Sequence, residues 1–143
     1  MTNDRIYDPI LLSRYPHMFP LDIAIWERFI VSEYNDFSGF SYDVKVGSGT
    51  EPIEGLGSEY ERMQRILSKY RIDVVGHKDG RTYIIEVKPE AGTIAVGEIE
   101  TYTNLYARDF GTAEPIVGMI VTDRYLPDMQ WLCDKKGIEL VIV

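Results

Sequence analysis

The chain has 143 residues, 45% of them apolar, and a formal net charge of −8 from 15 basic and 23 acidic side chains. That length and apolar share fit one compact domain with a sizeable core, and no run of about 18 apolar residues exists to cross a membrane as a helix. The acidic balance argues against a protein that coats nucleic acid, but not against an enzyme acting on it, because acids that hold a divalent cation themselves make a chain more negative.

The opening "MTNDRIYDPILL" lacks the basic-then-apolar order of a secretory leader. Cys133 stands alone, so neither a disulfide framework nor a thiolate metal cluster is expected, and a reducing, cytoplasmic setting is the simplest expectation. Residues 1–21, with Pro9, Pro16 and Pro20, read as an irregular lead-in to a single domain over residues 22–143. Asp22 offers an N-cap to a helix over "DIAIWERFIVSEY", in which Ile25 recurs with Phe29, and Ile23 with Trp26 and Ile30. Residues 41–46 alternate as a strand with Tyr42, Val44 and Val46 on one face. The glycine-rich residues 47–57 read as a plain connection, since "GSGT" lacks the lysine and the following helix of a phosphate loop. Ser58 and Glu61 match a capping box opening a helix to about Tyr70, with an apolar stripe of Met63, Ile66, Leu67 and Tyr70.

Next, "RIDVV" and "TYIIEVK" form a predicted hairpin across an Asp79-Gly80 turn. "IAVGEIETYTNLYARDF" is an amphipathic helix burying Ala95, Ile99, Tyr102, Tyr106 and Phe110. "PIVGMIV" is apolar throughout and reads as a central strand buried on both faces. A helix over residues 124–136 and a closing strand, "IELVIV", complete the order α-β-α-β-β-α-β-α-β, an α/β fold with a mixed central sheet and helices on both sides. Trp26 and Trp131 are expected as core anchors, His77 as an exposed turn residue, and His17 as a residue without partners.

Chemistry concentrates in the predicted hairpin. Alternation puts Ile84, Glu86 and Lys88 on one face of the strand and Tyr83, Ile85 and Val87 on the other. Pairing of Val75 near Thr82 would set Asp73 opposite Ile84 and diagonal to Glu86, within reach of a common ion. Ionisable groups on a buried face are costly without compensation, and a divalent cation between Asp73 and Glu86 supplies it. Two carboxylates and the backbone carbonyl of Val87 suit Mg²⁺, with Mn²⁺ able to substitute, while Lys88 would orient a bound water and support charge on a phosphate. Glu27, flanked by Ile23, Ala24, Ile30 and Val31 at spacings of three and four, falls on an inward helix face and would complete the site.

With Glu27, Asp73, Glu86 and Lys88 in that order, the chain resembles the PD-(D/E)XK nuclease superfamily over roughly residues 22–143. "YDVKVG…RIDVV…IIEVKP…GEIETYTNLY" is similar to small stand-alone members encoded by bacteriophages. The resemblance implies a restriction-endonuclease-like core of helix, three strands, helix and strand. It also implies Mg²⁺-dependent hydrolysis of DNA phosphodiesters, an endonuclease being the leading form, in a host cytoplasm, and by analogy a homodimer. Ile72 stands where the family often has Pro. Glu98 stands where it often has Gln, four residues before Tyr102, which makes both accessory candidates. The alternative is a catalytically silent binding or assembly module of the same fold. Arg62, Arg65, Lys69 and Arg71 recur along one side and would meet a phosphate backbone, the plain alternative being a solvated face mixed with Glu59 and Glu61.

Overall fold

The computed structural model describes residues 4–143, so the first three residues of the expected lead-in lie outside it. Its elements run α1 (Pro20–Ile30), β1 (Gly39–Val46), α2 (Ser58–Leu67), β2 (Tyr70–Lys78), β3 (Arg81–Val87), α3 (Thr93–Phe110), β4 (Ile116–Thr122), α4 (Pro127–Lys136) and β5 (Glu139–Ile142). The expected order holds, and the chain is an α/β fold with a mixed sheet flanked by helices.

One five-stranded sheet is ordered β1-β2-β3-β4-β5; β1 to β3 pair antiparallel, and β4 and β5 add in parallel. Its sharpest joint is the Asp79-Gly80 turn. Both residues have positive φ, 52° and 70°, as a two-residue type I′ turn requires, so Lys78 pairs directly with Arg81. Val75 therefore faces Ile84, not Thr82, a shift of two residues from the expected register. A shift of two preserves which face each side chain occupies, so the site chemistry survives the correction.

Two layers cover the sheet. On one side, α1 inserts Ile25, Trp26 and Phe29 against Val74, Tyr83, Ile85, Val87, Met119 and Val121. Trp26 donates its indole N–H to the Tyr42 hydroxyl at 3.0 Å and stacks on Phe29. The lead-in joins this layer: Tyr7 bridges to Phe40, and Tyr15 is buried. On the other side, α3 and α4 pack through Ala95, Val96, Ile99 and Cys133 onto Ile120 and Ile138. Gly118 in β4 lets α3 come this close, because a Cβ there would lie 2.4 Å from Ile99 Cγ2.

Four local expectations are corrected. Tyr42 packs on the α1 side, whereas Val44 and Val46 pack with Tyr106 on the α3 side, because Asp43 adopts φ 56° and turns the strand over. Ser58 is not a cap: Gly57 holds the N-cap position and α2 buries none of its residues, leaving Met63, Ile66, Leu67 and Tyr70 exposed. Trp131 is 63% exposed on the outer face of α4, with the Lys135 ammonium 5.6 Å from its ring centroid. His77 is partly buried within β2, and its Nε2 is sealed off without a hydrogen bond. The glycine-rich connection is tied down, since Asp109 accepts from the Gly47 N–H at 2.7 Å and Ser68 Oγ from the Thr50 N–H at 2.7 Å. No helix among the described residues is long and apolar enough to cross a membrane.

Candidate active site

The hairpin register brings Asp73 level with Glu86, because Val75 faces Ile84 and Val74 faces Ile85. At that point the ladder stops. The Val87 N–H, which a neighbouring strand would otherwise satisfy, donates to Asp73 Oδ2 at 2.9 Å. The Asp73 side chain thus takes the place of a rung, and β2 and β3 are joined there by a carboxylate.

Glu86 is 1% exposed and hydrogen-bonds to Asp73, while its Oε1 is buried without any partner. Burial pushes its pKa far above the ordinary carboxylate range. Asp73, by charge and by hydrogen bond, and then Glu98 push the same way, and Lys88 only partly offsets them. The Glu86 carboxyl is thereby pushed up to about 11, which favours its protonated form at neutral pH. An unpartnered, desolvated carboxyl oxygen beside a second carboxylate is expensive, and folded proteins retain such a group for chemistry more than for stability.

Lys88 follows the last residue of β3, its backbone N–H bound to the Val121 carbonyl at 3.0 Å. Its ammonium lies 3.3 Å from Glu98 Oε1, with side chains 34% and 24% exposed. Burial alone would lower the Lys88 pKa, but Glu98, Glu86 and Asp73 together outweigh it and the net shift is upward, so the group stays cationic. Glu98, four residues before Tyr102, is thus the tether of Lys88. The Tyr102 phenol is raised by burial and then by Glu86, Glu98 and Asp73, and its ring lies against Tyr70 at 5.8 Å.

Of the acids on α1, Asp22 is coupled electrostatically to this cluster. Asp22 sits in the first turn, accepts the Phe19 N–H at 3.3 Å, and is raised first by burial and also by Asp73, with Lys88 opposing. Glu27, one turn further along and partly buried, also raises the Tyr15 phenol. Asp22 was visible in the sequence only as a capping residue, which concealed this second role.

The basic candidates separate. Arg71 is committed to Asp43, with Nε to Oδ1 at 2.6 Å and Nη2 to Oδ2 at 2.5 Å. Arg65 lies 3.5 Å from Glu51, Arg62 is exposed, and Lys69 is half-buried just beyond α2.

The donor set suits a small hard cation. It offers only oxygen: two carboxylates in contact, one with an orphaned atom, and the neighbouring main chain of Val87. Among the described residues no group of three or more Asp, Glu, His or Cys side chains forms a complete cage.

No family model and no curated protein sequence matches the chain. Among solved structures, it is similar to the crystal structure of a repair endonuclease from Pyrococcus abyssi, with 21% identity and a TM-score of 0.45 over 72% of this chain. That overlap covers 39% of the endonuclease, so the chain spans about two-fifths of its length, and a superposition of this quality carries no inference about the activity of this chain.

Proposed function

We propose that the chain is a metal-dependent nuclease that hydrolyses phosphodiester bonds in DNA, as an endonuclease. The observation that carries this reading is the buried Glu86–Asp73 pair with its orphaned Oε1, next to a lysine held cationic beside Glu98. When bound, a divalent cation such as Mg²⁺, or Mn²⁺ in its place, would polarise the phosphate and lower the pKa of a water. Asp73, Glu86 and the Val87 carbonyl would hold it. The Val87 N–H fixes the Asp73 carboxylate from behind, so its second oxygen has a defined direction. A cation held there would favour the ionised form of Glu86 by offsetting its repulsion with Asp73, the proton passing to solvent. Lys88 then turns from Glu98 to the scissile phosphate, where its ammonium supports the charge that develops on the non-bridging oxygens. Asp22 adds a carboxylate at the start of α1 for orienting metal-bound water.

Cleavage of plasmid, single-stranded and branched DNA with Mg²⁺ or Mn²⁺ tests the reading. Glu86→Ala and Lys88→Ala should each cut activity at least about a hundred-fold, the usual size of a lost charge-stabilising group. Activity that survives both substitutions would remove the assignment. A silent module of the same fold has one observation in its favour, the Lys88–Glu98 pair that occupies the lysine. Calorimetry separates the two: the silent form predicts no saturable Mn²⁺ binding, and no change in Asp73→Ala.

A further inference from the structure

We infer that Tyr70 and Tyr102 form a stacking platform for an unpaired base, and that the substrate presented to the Asp73–Glu86 site is single-stranded DNA or a frayed end. The inference rests on the nuclease reading and adds to it the form of the strand.

Three observations carry it. The first is the position of the two rings. Tyr102 lies on α3, one turn beyond Glu98, and its phenol lies in the field of Glu86, Glu98, Asp73 and Tyr70 together. Its ring is half-covered by the cluster of Val44, Val46, Ile72 and Ile84. Tyr70, the first residue of β2, lies against it with centroids 5.8 Å apart and planes at 42°. The pair is an aromatic step leading outward from the two acids.

The second is that the step ends in the open. Tyr70 is 54% exposed, although its neighbours in the ladder are covered. Gly47 helps to hold the ring there: it turns the chain away at φ 91°, and a Cβ on it would lie 3.4 Å from Tyr70 Cδ2. Tyr70 is therefore seated against Gly47 and Tyr102 with about half of its surface open, and an open ring of this kind can receive a nucleobase.

The third is charge. Duplex binding depends on a row of free cations along two phosphate backbones. This chain has 15 Lys and Arg against 23 acids. Seven of the fifteen (Arg65, Arg71, Lys78, Lys88, Arg108, Arg124 and Lys136) are already in ion pairs. Stacking needs no such row, and it is indifferent to sequence because every base has a π-face.

Binding is read in EDTA, where no cutting occurs, with short oligodeoxynucleotides carrying 2-aminopurine. The wild-type protein should quench the single-stranded probe and bind it about ten-fold more tightly than the matching duplex. Tyr70→Ala should weaken single-strand binding by roughly ten-fold, and Tyr70→Trp should restore it, with both variants melting like the wild type. Equal binding by wild type and Tyr70→Ala, or tighter binding of the duplex, would overturn the platform. If the protein cuts DNA with Mg²⁺ but Tyr70→Ala changes nothing, the platform falls and the nuclease reading stands. If it quenches the probe through Tyr70 but never cuts, the nuclease reading falls and the platform stands.

Discussion

At the scale of single residues, Glu86 carries a large electrostatic cost, set first by burial and then by Asp73. Its folded pKa is raised above the value of an unfolded carboxyl, so its contribution to stability is fully present below that ordinary value and is lost as pH rises towards the folded one. The metal-free protein should therefore lose thermal stability as pH climbs from about 4.5 through neutrality, when melting is followed in EDTA. Glu86→Gln cannot ionise. It should flatten that pH dependence, raise the midpoint at pH 8, and abolish cleavage. A midpoint at pH 8 that falls in Glu86→Gln would show that the Glu86 proton stabilises the fold. Added Mg²⁺ should act in the opposite sense on the wild type, raising the midpoint more at pH 8 than at pH 5, because binding is linked to release of the proton.

At the scale of elements, the approach of α3 to β4 sets the geometry of the site, because α3 carries both Glu98 and Tyr102. Gly118→Ala places a methyl group 2.4 Å from Ile99 Cγ2, so α3 must shift away from the sheet. The expected loss is about 1–3 kcal/mol in urea unfolding, with a fall in activity beyond what the unfolded fraction explains. Wild-type stability would mean that the helix has slack. The strands and the hairpin were legible in the sequence because period-two alternation and an Asp-Gly pair are local signals. The register was misjudged by two because the type I′ turn is tighter than the six residues "GHKDGR" suggest, but the parity of the faces was preserved. Periodicity cannot say what an amphipathic face will meet. The stripe on α2 was real as a pattern, yet nothing in the fold covers it. Asp22 is legible in the sequence as a capping residue, and its electrostatic coupling to Asp73 and Lys88 is not, because periodicity carries no information on which strand ends a helix start lies near.

At the scale of the whole molecule, the net charge of −8 opposes the approach of a polyanion, and among the described residues Arg65 and Arg71 of the expected basic row are held in ion pairs. Each phosphate neutralised contributes about −0.7 to the slope of log K against log salt for a single strand. The slope for this protein should be shallow, no steeper than about −2, when a fluorescent oligonucleotide is titrated across salt concentrations. A slope steeper than about −4 would mean that the surface binds backbone broadly. A strand bound by such a protein would gain little from long-range attraction, and the proposed platform would act at contact.

The main chain of Val87 has a consequence of another kind. Its N–H points at Asp73 where a rung of the sheet would be, so this amide proton is a built-in indicator of the carboxylate it touches. Isotope-labelled protein should show the Val87 resonance moving first, and furthest among the β3 amides, as Mg²⁺ is titrated in. The site can then be watched from the backbone side without any reporter attached.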